Sequence, residues 1–439
     1  MAGDVLSVWM DGFPTPAGRL ARTSHGDTAF VYEPEYASAG GAALSLSMPL
    51  ADEAFGDVET RAFFANLLPE NAQLQRVMER EGLARDDIVG LLKHLGADCA
   101  GSVSCLPLDA PPIKSPGVLS EDYESLDDRT LLRIAKSLRD ERRLPAEVAD
   151  PSPVAGVQSK VAITVLQDGS FALPRHGTRV PTTHILKVPG RRDARDTRNE
   201  EAAAILAAAA GLDVSVPTAI KIGEVDALLI ERFDRQVQNG LVSRIHQEDF
   251  AQALGLPSEL KYQRRGQPGR WFDVTAAVSV LDRTRDPQMA RLAFLKATLF
   301  NLCIGNTDNH AKNHGLLYDT PGAPRFAPLY DLLPIRLSKD FTHELAFRIG
   351  AATYFDAMTT ADLLDFFFEM GVDEGDLDLL LDGEIVPLIK ALERASPRLK
   401  SSGLKPFNDL LGREMEELTE RLQLNVMVEA RDYFPVEGI

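Results

Sequence analysis

Between Ile304 and Asp331 the sequence sets an aspartate, an asparagine five residues on and a second aspartate beyond a Pro/Gly turn: Asp308, Asn313 and Asp331. Asn and Asp at this density also cap helices and turn chains. Here, however, they follow the apolar, helix-spaced run Met289 to Ile304, which predicts a rigid element leading into the loop. Two carboxylates and an amide delivered in this way are hard oxygen donors, the kind called for by a Mg2+ ion that neutralises developing phosphate charge. His310 and His314 are four apart and would share one helix face, yet no Glu follows His310 as a zinc-protease motif requires.

A chain of 439 residues can bury a large core and hold two or three domains. Its formal charge of −18 argues against a self-sufficient DNA or RNA binder, which would need a basic face. Cys99, Cys105 and Cys303 are too few for a disulfide framework and fit a reducing, cytoplasmic setting. The greasiest run, Ala202 to Leu212, is too short to span a bilayer, so no membrane segment is expected.

Taken in order, residues 1–50 alternate apolar and polar and predict a small antiparallel sheet. Arg61 to Leu95 switches to helical spacing and stops at Gly96, and the four prolines of Pro107 to Pro116 read as a linker. A helix is expected from about Asp127 to Leu138. Ala155, Gly156, Val157, Gln158, Ser159 and Lys160 then form a small-residue loop running into the strand Val161 to Val165, which Asp168 and Gly169 turn into a hairpin. The next strand, Thr183 to Val188, carries Lys187. Gly190 to Arg198, mostly Arg and Asp, reads as a solvated loop, after which Asn199 and Glu200 open an alanine-rich helix. A hairpin from Thr218 to Ile230 breaks into Glu231, Arg232, Phe233, Asp234 and Arg235. Beyond it the chain is predicted mainly helical: His246 to Leu254, Val274 to Leu281, Met289 to Ile304, and several helices after Thr360.

The order of these parts is that of protein kinases. In it, Lys160 and the loop before it cradle the phosphates of ATP, and Lys187 pairs with them, braced by Glu200 or Glu201. Backbone groups of Glu231 to Phe233 read the adenine, and Asp234 binds the ribose. Asp308 accepts the acceptor's hydroxyl proton, while Asn313 and Asp331 hold Mg2+. His310 and Lys312, inside the same loop, join the nucleotide-binding candidates. The expected fold is α+β and two-lobed. It comprises an N-terminal β/α subdomain (1–112), a kinase N-lobe (113–235) and a mostly helical C-lobe (236–439).

Several runs are more specific. Asn199 to Pro217, Ile230 to Arg235, His246 to Tyr262 (with His246, Gln247, Glu248, Asp249 and Phe250), Gly305 to Asn313 and Pro328 to Leu333 resemble the HipA family of bacterial toxin kinases. Phe63, Phe64 and Asn66 to Glu70 resemble that family's N-terminal subdomain. The resemblance implies a serine/threonine kinase that phosphorylates an aminoacyl-tRNA synthetase, commonly the glutamyl enzyme, and halts growth. It also implies a small dimeric, HipB-like DNA-binding antitoxin, so that DNA is met only through that partner. One position departs from the pattern. The family's self-phosphorylated serine falls here on Pro153, which has no hydroxyl, so self-phosphorylation there is expected to be absent or displaced; of the nearest hydroxyls, Ser152 and Ser159, Ser152 is the better candidate. Two other readings stay open: a non-catalytic nucleotide-binding corepressor, and a small-molecule phosphotransferase.

Overall fold

The computed structural model describes residues 4–438 except 71, 146, 149–151, 153–157, 321, 434 and 437. Contacts gather the chain into two compact units: Met1–Thr197 with Thr218–Ser258 and Leu317–Gly322, and Arg198–Pro217 with Glu259–Leu316 and Ala323–Ile439. The expected boundary at 112/113 falls inside the first unit.

The first unit opens with an antiparallel sheet in the order Thr28–Tyr32, Gly18–Arg22, Val5–Met10, Val103–Pro107. Leu6, Val8, Leu20 and Phe30 project into a core closed by the helices Asp57–Ala65, Ala72–Glu81 and Ile88–Leu95. A six-stranded sheet follows, ordered Thr218–Ile222, Val225–Glu231, His184–Lys187, Lys160–Val165, Phe171–Pro174, Tyr123–Ser125. The helix Asp128–Glu141, capped by Asp127 accepting from the Thr130 N–H at 2.7 Å, lays Leu131, Ile134 and Leu138 against Val161, Ile163 and Leu186 of that sheet.

Two elements differ from expectation. His246–Asp249 is a strand, and only Phe250–Ala253 is helical, because Asp249 and Gln252 close a reciprocal capping box that starts the helix at Phe250. The Arg/Asp-rich stretch is solvated, as expected, but carries regular structure: Arg191–Asp193 is an exposed 3₁₀ turn whose Arg191 pairs with Asp140 at 2.9 Å, and the next helix already begins at Asp196.

Three buried arginines and three acids stitch the N-terminal sheet to the rest of the first unit. Arg232 grips Asp234 with two hydrogen bonds of 3.0 and 2.9 Å, Arg235 reaches Asp98 at 2.8 Å and Asp234 at 2.7 Å, and Arg244 bonds Asp11. Burial alone would push the Asp234 carboxyl up, but Arg232 and then Arg235 hold it well below the usual carboxylate range. A depressed folded pKa means that this stability is present above the ordinary Asp value and is lost as the pH falls through the folded one. Asp234→Ala leaves the three buried guanidiniums with only Asp98 and Asp11 to balance them and is expected to cost about 4 kcal/mol. The urea midpoint of the intact chain reads this, and an unchanged midpoint would remove the structural role given to the network.

The second unit is mainly helical, built on Val274–Leu281, Pro287–Cys303, Thr360–Glu369, Val386–Ala395 and Lys405–Arg421 around buried Phe294, Phe300, Phe366 and Phe407. Pro287–Cys303 starts on an Asp286 cap with Pro at its first turn and ends before Gly305, whose φ of +69° turns the chain out. A Cβ at Gly305 would lie 2.8 Å from Leu410 Cδ2, which would have to shift, on a backbone whose positive φ already strains any other residue. No helix among the described residues is long and apolar enough to cross a membrane. Cys99, Cys105 and Cys303 are buried free thiols.

Candidate active site

The loop after Gly305 is held by its own asparagines. Asn306 donates to Asn301 Oδ1 at 2.8 Å and accepts the Asp308 N–H at 3.1 Å. Asn313 donates its amide Nδ2 to the Asp308 carbonyl at 2.8 Å, and the same carbonyl takes the His310 N–H at 2.9 Å. With Nδ2 so engaged, Asn313 keeps Oδ1 as an oxygen able to take a cation. Asp308 is half-buried, and its side chain accepts from the Tyr262 hydroxyl at 2.5 Å. Burial, and then the neighbouring Asp331, push the Asp308 carboxyl up, while the bond from Tyr262 and the charges of Lys261 and Arg264 pull it back.

Asp331 follows a stretch pinned at Leu329, which donates to the Asp213 carbonyl at 2.8 Å and accepts from the Ser215 N–H at 2.9 Å. Tyr330 bonds the Lys312 carbonyl at 2.8 Å. Asp331 itself sits at φ +57°, a left-handed conformation that Asp tolerates better than most residues. Asp308, His310, Lys312, Asn313 and Asp331 are thus all carried by the second unit, and Asp331 lies close enough to act electrostatically on both Asp308 and His310.

The two histidines part company. Burial pulls His310 down to about 3, so its ring is neutral, and its Nδ1 is enclosed without a protein hydrogen-bond partner. His314 is also pulled down to about 3 by burial, and it packs among Phe272, Phe294 and Phe326 at ring distances of 5.8, 4.8 and 6.1 Å, which makes it a core residue. Among the described residues no group of three or more His, Cys, Asp or Glu is placed to hold a metal. One carboxylate and one amide oxygen nevertheless suit Mg2+, which keeps waters and takes phosphate oxygens rather than filling its shell from protein.

In the first unit Lys160 and Lys187 are register partners on adjacent strands, and Leu228 faces Lys187 from the other side. Lys187 is buried and acts on Asp196, whose carboxyl is driven up to about 6 by burial and by Asp193 against that pull. The Ser159 carbonyl takes the Val188 N–H at 2.9 Å, and Gln158 encloses its Oε1 without a partner. Ala155, Gly156 and Val157 lie outside the described residues, as does Pro153. Glu231 pairs with His184 at the strand end, Phe233 is half-buried, and the Arg232 N–H is already used on the Thr183 carbonyl at 3.0 Å.

One expectation needs correction, and one candidate falls away. Asp234 cannot serve a ribose: Arg232, Arg235 and the Gly101 N–H at 2.8 Å occupy its carboxylate in the buried network. Ser152 is not an accessible modification site, since its hydroxyl is buried, donates to the Asp98 carbonyl and receives Arg232 at 3.3 Å. Tyr262 was missed as a site residue, because nothing local marks a tyrosine that meets an aspartate 46 positions away.

The HipA-like C-terminal domain matches residues 152–378, and the HipA N-terminal domain matches residues 6–106. The chain belongs to the HipA family. The serine/threonine-protein kinase toxin HipA of Shewanella oneidensis is 30% identical over 346 residues, 76% of each chain. Y4mE of Sinorhizobium fredii, which carries a provisional description as a kinase, is 38% identical over 84% of this chain and 86% of its own. The fold is that of HipA in the solved Shewanella oneidensis complex of HipA, HipB and operator DNA, with a TM-score of 0.74 at 24% identity, covering 95% of this chain and 96% of that one. This HipA-family chain is therefore a protein kinase, and its α+β, kinase-like architecture is as expected.

Proposed function

We propose that the protein is the toxin of a toxin–antitoxin pair, an ATP-dependent serine/threonine kinase whose acceptor is an aminoacyl-tRNA synthetase, with a HipB-like DNA-binding antitoxin as partner. The observation that carries the catalytic part is the asparagine-braced loop presenting Asp308 and the Asn313 oxygen beside Asp331. Mg2+, held by Asn313 and Asp331, would neutralise charge on the phosphates of ATP. Asp308 orients the acceptor hydroxyl and takes its proton. The enclosed, uncharged His310 offers Nδ1 as a hydrogen-bonding atom and not as a cation. Lys187 and Lys160, side by side on their sheet, supply positive charge for phosphate. The kinship to HipA supports the toxin role, and the acidic balance of the chain leaves DNA contact to the partner.

Labelled ATP added with the purified protein to a cell lysate, followed by phosphosite mapping, tests the acceptor: one dominant Ser or Thr on a synthetase is expected. Expression without a partner is expected to arrest growth, and co-expression of a helix-turn-helix partner to relieve it. Harmless expression of a protein with proven kinase activity, or transfer to metabolites alone, would favour a small-molecule phosphotransferase.

A further inference from the structure

Tyr262 is held on every side. Its hydroxyl lies 2.5 Å from Asp308 Oδ1, His310 meets its ring edge-on at 5.0 Å, and the Arg264 guanidinium sits 4.1 Å from the ring centroid. Arg264 is itself anchored, to the Leu345 carbonyl at 3.3 Å and to Glu344 at 3.7 Å. The backbone on either side is tied down too: Ala311 N–H donates to the Lys261 carbonyl at 3.1 Å, and Gln263 N–H to the Ala346 carbonyl at 2.9 Å. Burial and the neighbouring Asp308 raise the phenol's pKa above its ordinary value, so it remains a donor.

Asp308, by contrast, has a fixed backbone and a soft side chain. Asn306 and Asn313 hold its N–H and C=O, but the terminal torsion of an aspartate is broad and two-fold. We infer that Tyr262 is a positioning residue for phosphoryl transfer, holding Oδ1 of Asp308 so that Oδ2 is turned to the acceptor hydroxyl. In the step it serves, the acceptor oxygen bonds to the γ-phosphorus as the bond from that phosphorus to the leaving oxygen of ADP breaks, and the hydroxyl proton passes to Oδ2. Orientation of this kind lowers the barrier without adding to substrate binding, so it shows in kcat and leaves KM alone.

This inference rests on Asp308 being the acceptor base. ATP hydrolysis by the full chain with Mg-ATP, in which water stands in the acceptor's place, tests it without an identified acceptor. Tyr262→Phe keeps the ring and removes the donor; kcat is expected to fall roughly tenfold, with KM for ATP and the melting temperature unchanged. Arg264→Gln loosens the ring and leaves the hydroxyl in place, and a smaller loss of about threefold, again in kcat, is expected. If Tyr262→Phe does not fold, the Arg264→Gln result decides. Unchanged or raised kcat in the folded variants, or a loss lying wholly in KM, overturns the inference. Turnover that survives Asp308→Asn would instead remove the base assignment beneath it, whereas an inactive Asp308→Asn beside a fully active Tyr262→Phe would remove this inference alone.

Discussion

Asp308→Asn is expected to reduce phosphoryl transfer by roughly a thousandfold while Mg-ATP affinity stays within about threefold, the range a lost general base commands. The substitution is nearly isosteric. The asparagine Oδ1 can still accept from Tyr262, and the backbone bonds to Asn306 and Asn313 do not involve the changed atoms. What disappears is the carboxylate proposed to take the acceptor's proton. A drop in stability is therefore not expected, and one of the two acids that repel each other in this site is removed. Single-turnover transfer from labelled ATP, set beside calorimetric ATP binding, separates the chemical step from binding. Near-normal transfer would rule out Asp308 as the base.

How much of this site can be read from the chain depends on how local its contacts are. Asp308 and Asn313 are legible because the bond that couples them spans five residues and lies within one loop. Gly305 ends the preceding helix through its positive φ, which a glycine at that place announces, whereas the second constraint on it needs the fold: Leu410, on a helix over a hundred residues later, crowds the space a side chain would take. Tyr262 is illegible for the same reason, since the loop that brings it to Asp308 is fixed by distant backbone bonds such as that from Gln263 to Ala346. Asp234 shows the converse error. A charged turn after an apolar strand looks ligand-facing, but the Gly101 N–H that bonds Asp234 and the Asp98 that bonds its neighbour Arg235 come from a stretch more than 130 positions earlier, and together they make the turn interior. His246–Asp249 misled through length, because four residues carry too little periodicity to separate strand from helix.

Asp331→Asn is expected to weaken Mg-ATP binding and to slow turnover on the order of a hundredfold, about 3 kcal/mol for one oriented charge in a site sheltered from water. The choice of asparagine matters. Asp331 sits at φ +57°, where alanine would add backbone strain to the loss of charge, whereas asparagine tolerates the left-handed region. The stretch before it stays pinned through Leu329 and Tyr330, so the variant isolates the carboxylate. Asn313→Ala, which removes the neutral oxygen proposed as a ligand and the brace on the Asp308 carbonyl, is expected to have a smaller effect on Mg-ATP affinity than Asp331→Asn. In the metal-free chain, removing the charge at 331 lifts the repulsion that raises the Asp308 carboxyl. Calorimetric titration of ATP with and without Mg2+ reads the metal role directly: the wild-type chain is expected to gain affinity from the metal and Asp331→Asn to gain much less, while equal gains with unchanged turnover would rule out Asp331 as a metal ligand.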